Sequence, residues 1–491
     1  MHYLLGIDFG GGSAKAALLG ENGATQAEAS SEYPTLSPVH GAAEQKSEDW
    51  IRALCETVRS VLEKSGAKPA EILAVALSSA THSSLWCDEN FAPVRPALHW
   101  TDSRSFAEAD ELDRLYGEEI FEKTFHRPGP IWTLPQLLWL KKNEPETARR
   151  GRYLFFEKDF IRYFLTGRYA TDFIEAEGSM LFDCRKMQWD EDLLSLAGIS
   201  KENLPELLSP TDRAGSVTAE AARATGLSEG TPVICGTTDT VMEVFASGAV
   251  EEGDCTVKLA TAGRICIITS RPVPDRHLVN YSHIIPGLWY PGTATKSAAA
   301  SYRWFRDTFG GDYRALDEAA SPVPPCSEGL FFHPYLNGEL TPYGDPALSA
   351  SFTGVRAHHG KGHFARAVME GVAFSMLECL NYWEKLSVPH KDELTLIGGG
   401  AKGAIWRKIL ADVLGAKLRT TSSGDSSLGS AMLAGVSAGV FSSPKAAVRS
   451  CVQFGNVIEP DAALHEKYLK AYRIYRAIHD ALAPVYGEKA L

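Results

Sequence analysis

Carboxylates in apolar company are the first residues of this 491-residue chain that could do chemistry. Asp8 interrupts the run YLLGIDF and is followed closely by Gly10, Gly11 and Gly12, with Ser13 and Lys15 just beyond. An aspartate is seldom buried without a role, because its charge is costly to dehydrate. Three glycines beside it let a backbone approach a ligand closely, and the N–H groups of such a turn can cradle phosphate. A hairpin turn that binds nothing needs the same residues. Asp239 stands among small residues in CGTTDT (235–240), after an apolar run. There it either caps a helix or presents a carboxylate at a strand end, with room beside it for a ligand. Gly398, Gly400 and Gly403 satisfy GxGxxG between an expected strand and helix, the pattern of a dinucleotide enzyme. That fingerprint also requires an acidic residue at the end of the next strand, and AKLRTT (416–421) has none. The nucleotide loop GxxxxGK[ST] does not occur. His82 in SSATHSSLW, and Asp102 with Arg104 in ALHWTDSRS, are further polar candidates, although a lone histidine is commonly structural and Asp–Arg two apart is a common surface pair. HHGKGH (358–363) has no usual zinc spacing and reads as a solvated entry to a helix.

The elements that must position these residues can be read from periodicity. Residues 3–9 and 14–19 predict strands, ENG (21–23) a turn, and ATQAEASSEY a third strand. The first gap is too short for a crossover helix, so the pairing should be antiparallel. Apolar positions 51, 54, 58, 61 and 62 predict a helix over 48–65, and EILAVALS (71–78) a buried strand. A meander followed by helix and strand indicates an α/β sheet with helical cover. Residues 133–166 predict largely helix, 210–218 a turn-rich connector, and 231–239 a strand ending at Asp239. TVKLATAGRICIIT then repeats the pattern of LLGIDFGGGSAKAALL, which suggests a duplicated lobe with its boundary near 240–250. In the second lobe the pattern predicts helices over 363–386, from about 403 and over 426–439, and a strand over 393–397.

Composition narrows the class. A formal charge of −12 argues against a general nucleic-acid binder, while leaving room for an anionic small molecule in a local pocket. Nine cysteines occur singly with no CxxC pair, as expected of reduced thiols in a cytoplasmic protein. No basic region precedes the first apolar run, so no signal peptide is expected. No run approaches the ~18–20 apolar residues of a membrane span.

Four segments, in this order, resemble the FGGY carbohydrate kinases over nearly the whole chain: WTLPQLLWLKKNEPE (132–146), FEKDFIRYFLTGRYATD (156–172), ASFTGVRAHHGKGHFARAVMEGVAF (350–374) and LIGGGAKGAIWRKILADVLG (396–415). Within the family the resemblance is greatest to members that phosphorylate xylulose. It implies an α/β, two-lobed actin-like ATPase (ribonuclease H-like) fold, with duplicated lobes around a central cleft. An N-terminal lobe, 1–245, would hold the sugar, the first phosphate loop and the catalytic aspartate. A C-terminal lobe, 246–491, would hold the second phosphate loop and the adenosine. By the same resemblance Asp239 is the catalytic base and Asp8 acts near Mg2+ through water, with Asp239 also at the metal. Thr81, His82, Asp102, Arg104, Asp239 and Thr240 would contact the sugar. Gly10, Gly11, Gly12, Ser13 and Lys15 would contact ATP on one side, and Thr261, Ala262, Gly263, Gly399, Gly400 and Ala401 on the other. A homodimer is a family-level expectation.

The sequence departs from the family pattern near these residues. Gly11 and Gly12 stand where Thr and Ser are usual, ATAG (260–263) replaces GTSG, Ala80-Thr81-His82 replaces Gln-Met-His, Gln136 replaces Lys, and Leu340 replaces Arg in GELTP. These changes bear on the sugar more than on the reaction. The expected function is therefore transfer of the ATP γ-phosphoryl group to a ketopentose, D-xylulose foremost, with gluconate or another polyol or ketose as the alternative. A dehydrogenase built on 398–403 and a non-catalytic actin-like sugar sensor are the more distant readings.

Overall fold

The computed structural model describes residues 1–421 and 424–487. The chain forms two compact units. The first comprises Met1–Val250, Tyr281–Leu288 and Ser423–Val452; the second comprises Glu251–Asn280, Trp289–Ser422 and Gln453–Leu491. The sequence suggested a single cut near 245, but the chain returns to the first unit twice after leaving it.

In the first unit β1 (Tyr3–Phe9) and β2 (Ser13–Gly20) form the expected antiparallel hairpin, continued by β3 (Thr25–Glu32). Residues 4–9 of β1 are buried on both faces, as suits a central strand with helices above and below it. β4 (Ile72–Ser79) runs parallel to β1, so Asp8 pairs in register with Ser78 on one side and Lys15 on the other. β5 (Arg213–Ser216), β6 (Pro232–Ile234) and the two-residue β7 (Thr237–Thr238) complete a seven-stranded sheet of order β5-β6-β4-β1-β2-β3, with β7 also on β4. The helix Ser47–Ser65 lays Trp50, Leu54, Val58 and Val61 into the core. The helix Ser426–Ser437, rich in small residues, packs on β1 so closely that a Cβ on Gly6 would lie 2.0 Å from the Ser427 carbonyl oxygen and 2.2 Å from the Ala431 nitrogen. Only glycine permits that backbone contact.

The second unit contains β8 (Cys255–Leu259), β9 (Gly263–Ile267), β10 (Gly292–Thr295), β11 (Glu393–Ile397), β12 (Lys417–Thr421) and β13 (Phe454–Ile458), in the order β10-β9-β8-β11-β12-β13. Pairings across this sheet run antiparallel, antiparallel, parallel, parallel, antiparallel. The succession from β3 to β5 in the first unit is the same. The duplication suggested by two hairpins thus extends to whole sheets, with one difference: the far edge strand comes before its neighbour in the first unit and after it in the second. The helix Lys361–Lys385 is buried from Ala365 to Leu380 and carries Trp383 into the core.

Residues 133–166 are largely helical, as expected, with one interruption: the aromatic run Tyr153–Phe156 is a strand paired with Ser84–Cys87. One expectation is corrected. The connector at 210–218 contains β5, whose short edge pairing with β6 leaves no periodicity to read. Among the described residues no helix is long and apolar enough to cross a membrane.

Candidate active site

Sheet register brings Asp8 and Asp239 to the same end of β4. β7 pairs Thr237 with Ser78 and Thr238 with Ser79, while Asp8 pairs with Ser78 from the other side. Asp239 opens the helix Asp239–Ala246 as its first residue; Thr238 holds the capping position, so the reading of Asp239 as a helix cap does not hold. The Thr240 hydroxyl donates to Asp239 Oδ1 at 3.1 Å, and the Ser426 hydroxyl to the Asp239 carbonyl at 3.0 Å. Asp8 is buried, and its Oδ1 accepts the Ser78 hydroxyl at 2.7 Å, which is itself 3.0 Å from the Ser430 hydroxyl. Burial and the charge of Asp239, then that of Asp425, push the Asp8 carboxyl well above its ordinary range, against the hydrogen bond from Ser78 and the charge of Lys15. A buried carboxyl raised in this way by acidic neighbours fits a divalent cation, which would reverse the penalty. Lys15 lies 3.5 Å from Asp425 at the surface.

The first glycine loop has its carbonyls turned into the protein. Gly10 O accepts the Tyr33 hydroxyl at 2.5 Å, and Gly11 O accepts Thr35 Oγ1 at 2.9 Å and Gln45 Nε2 at 3.2 Å. Gly12 O and Ser13 O accept the N–H groups of Tyr33 and Gly10, both at 3.0 Å. The second loop does likewise: the carbonyls of Ala260 and Thr261 accept N–H groups from Ala298, Ala299 and Ala300 at the start of the helix Ala299–Phe309. With these carbonyls engaged, the donors the loops could offer an anion are the N–H groups of Gly11, Gly12, Thr261 and Ala262 and the hydroxyls of Ser13 and Thr261. Thr261 and Ala262 are exposed, whereas Gly263 is buried as the first residue of β9.

His82 is buried in the left-handed region (φ 52), with its N–H 2.5 Å from Glu175 Oε1. Burial, with His126 and His99 nearby, lowers its imidazole to about 3, so it is neutral near pH 7. Its ring lies 4.9 Å from Trp132, which lies 4.6 Å from His126; His126 in turn is 5.4 Å from Tyr281. The half-buried Thr81 is beside Gly178, where a Cβ would meet the Thr81 methyl, His82 and the Tyr281 hydroxyl. Gln136 is buried and accepts the Ser84 hydroxyl at 2.9 Å. Asp102 is buried, not a surface residue: its carboxylate receives the Ala43 N–H at 2.8 Å and the Arg104 guanidinium at 2.8 Å. Arg104 also pairs with Glu44 at 2.6 Å and lies 4.3 Å above the Trp139 ring. The capacity of this pair is spent largely within the protein, so its contact with substrate rests on resemblance alone.

In the second unit a cavity of about 440 Å3 is lined by Ala260 and Thr261 of the second loop, by Gly399, Gly400 and Lys402, and by Tyr302, Tyr313, Asp317 and Trp406. The Tyr302 and Tyr313 rings stack at 5.6 Å, and the Tyr302 hydroxyl donates to Asp317 at 2.8 Å. Ala401 packs against the core instead of lining the cavity. Sequence reasoning missed Ser78, Asp425, Trp132, His126 and Tyr281, and this aromatic wall. Trp132 opens a segment already noted for its family likeness; the others carry no local signal.

Glu328, His358 and His359 bring potential metal-ligand atoms within 4.8 Å of one another. However, Nδ1 of His359 and of His363 each accept a backbone N–H at 3.1 Å, which leaves the proton of the neutral ring on Nε2. These Nε2 atoms are donors, and Glu328 meets Nε2 of His358 at 2.9 Å and of His363 at 3.5 Å; the segment leads into the helix Lys361–Lys385 as expected, but His359 Nε2 is buried and without a hydrogen-bond partner among the described residues.

Comparison with known proteins gives consistent results. The model of the FGGY family of carbohydrate kinases, N-terminal domain, matches residues 3–246, and that of the C-terminal domain matches 256–438. The chain is 31% identical over 484 residues to a xylulose kinase of Lactococcus lactis subsp. lactis, covering 98% of this chain and 97% of the other. It is 29% identical over 446 residues to a gluconokinase of Bacillus subtilis, covering 88% and 86%. The structure of a ligand-bound xylulose kinase from Lactobacillus acidophilus superposes with a TM-score of 0.93 at 25% identity, covering 99% of this chain and 100% of that one.

Proposed function

Because the chain belongs to the FGGY family of carbohydrate kinases, we propose that this ATP-dependent sugar kinase takes D-xylulose as its acceptor. The reading of the sugar rests on the likeness to xylulose kinases over 98% of the chain. The reading of the chemistry rests on one observation: sheet register brings Asp8 and Asp239 to the same end of β4. Asp239 orients the attacking hydroxyl and receives its proton late, as the new O–P bond forms and the bond from the γ-phosphorus to ADP breaks. Phosphoryl transfer has a loose transition state, so positioning and charge stabilisation supply most of the acceleration. Asp8, through water, and Asp239 are the residues that would hold Mg2+, which when bound neutralises phosphate oxygens. Backbone N–H groups of Gly11 and Gly12, with Ser13, receive phosphate in the first unit. Thr261 and Ala262 do so in the second, where the aromatic cavity takes the adenosine. His82, being neutral, contributes hydrogen bonds and not acid catalysis. A GxGxxG dehydrogenase would need the carboxylate that β12 lacks.

Replacing Asp239 by Asn should reduce sugar phosphorylation by at least about 1000-fold, from loss of both base and orienter, with ADP affinity nearly unchanged by calorimetry. Near-normal turnover in that variant would overturn the assignment. Sugar-dependent ADP release over D-xylulose, other pentuloses, polyols and gluconate tests the acceptor. A preference for gluconate would favour the second reading, to which the SSATH segment (78–82) also points.

A further inference from the structure

Behind the sugar-side histidine and the catalytic aspartate lies a group of buried ionisable side chains. Lys158, Asp159, Arg162, Asp172 and Glu175 are all fully buried. Lys158 Nζ is 2.6 Å from Asp159, 2.8 Å from Asp172 and 3.9 Å from Glu175. Arg162 pairs with Asp159 at 2.9 Å and donates to the Cys235 carbonyl at 2.7 Å. Five buried ionisable side chains are an expensive way to fill a core, since an apolar replacement is often as stable.

Its two ends meet the site. At one end Glu175 Oε1 accepts the N–H of His82, the residue held at φ 52. At the other, Asp172 Oδ1 accepts the Thr237 hydroxyl at 2.7 Å, two residues before Asp239. Asp172 also caps the helix Phe173–Glu177 through the N–H groups of Ile174 and Glu175, so both ends share one carboxylate. The chain between Arg162's contact at Cys235 and Thr237 is bent at Gly236 (φ 71), where a Cβ would lie 1.9 Å from the Leu77 carbonyl. A left-handed histidine and a sharp bend are conformations that persist only where their surroundings hold them.

We propose that Lys158 is a positioning residue: its ammonium, hydrogen-bonded to Asp159, keeps Asp172 and Glu175 beside it by charge and thereby fixes His82 and the Asp239 segment in mutual register. This rests on the roles assigned above to His82 and Asp239.

The test measures ATP-dependent phosphorylation of D-xylulose, ADP affinity and thermal midpoint in four variants. Lys158→Met should lower kcat about 100-fold, the cost of a misplacement near 1 Å, and raise the sugar KM, with ADP affinity kept; Lys158→Arg should recover at least about tenfold of that loss. Thr237→Val should lower kcat about tenfold with sugar KM unchanged, and Glu175→Ala should act mainly on sugar KM. A folded Lys158→Met with wild-type kinetics would overturn the proposal. Should that variant fail to fold, Thr237→Val and Glu175→Ala decide: wild-type kinetics in either, or identical losses in both parameters, would overturn it equally. An inactive Asp239→Asn beside a fully active Thr237→Val would reject the network alone, whereas an active Asp239→Asn rejects the underlying assignment.

Discussion

Glu177 shows how burial sets the pH response of a single side chain. Its carboxyl accepts the N–H of Ser282 at 2.7 Å and the hydroxyl at 2.5 Å, yet burial pushes it up to about 8. Between the unfolded value near 4.5 and the folded value, the native state holds a proton that the unfolded chain has lost. Stability is therefore greatest below this window and falls as pH rises through it, by at most about 1.4 kcal/mol per pH unit from this group. Glu177→Gln cannot ionise and keeps the shape, so its thermal midpoint should fall less than that of the parent between pH 6 and 8. Parallel curves would contradict the assignment. The buried histidines have the opposite sign: His82 is lowered to about 3 and His99 to about 4, both chiefly by burial. Each therefore removes stability as pH falls below 6.5. Asp8 was legible in sequence because a charge breaks an apolar run. Glu177 and Tyr281 were not, since nothing within a few residues of either signals what the fold brings beside it.

At the scale of elements, the helix Ser426–Ser437 depends on the absence of a side chain at Gly6. Gly6→Ala would place a methyl about 2 Å from the helix backbone, where no rotamer change can relieve it. Overpacking of that kind costs about 1–3 kcal/mol or more, and the urea midpoint should drop accordingly. An unchanged midpoint would show that the helix shifts freely. The opening hairpin, the helix over 48–65 and the strand at 393–397 were readable because each is periodic and bounded by turns. The strand Tyr153–Phe156 was not, being four apolar residues between two helices, a length at which periodicity cannot separate strand from helix. Nor does anything in SSLGSAMLAGVS reveal that its partner is β1, since that contact is set by the fold.

For the whole molecule, duplicated sheets and an aromatic cavity beside the second loop give a direct expectation for ligand binding. ADP should raise the thermal midpoint in proportion to the logarithm of its concentration, by about 2.7 kcal/mol of added stability at 100 times its Kd. No shift at millimolar ADP would contradict the assignment of the cavity. Two-lobed architecture, kinase chemistry and a boundary near 245, where the two family domains meet, were legible from long segments in order; that two later stretches rejoin the first unit was not. That return has a consequence for biosynthesis. β1 leaves the ribosome well ahead of the helix that covers it, which is made more than 400 residues later. At about 5–20 residues per second, the bare sheet face waits on the order of 20–90 s for its cover. A nascent chain shorter than this should be held by chaperones or lost to proteases, and a gene cut at the apparent lobe boundary should yield an N-terminal product that is insoluble until the C-terminal piece is supplied in trans.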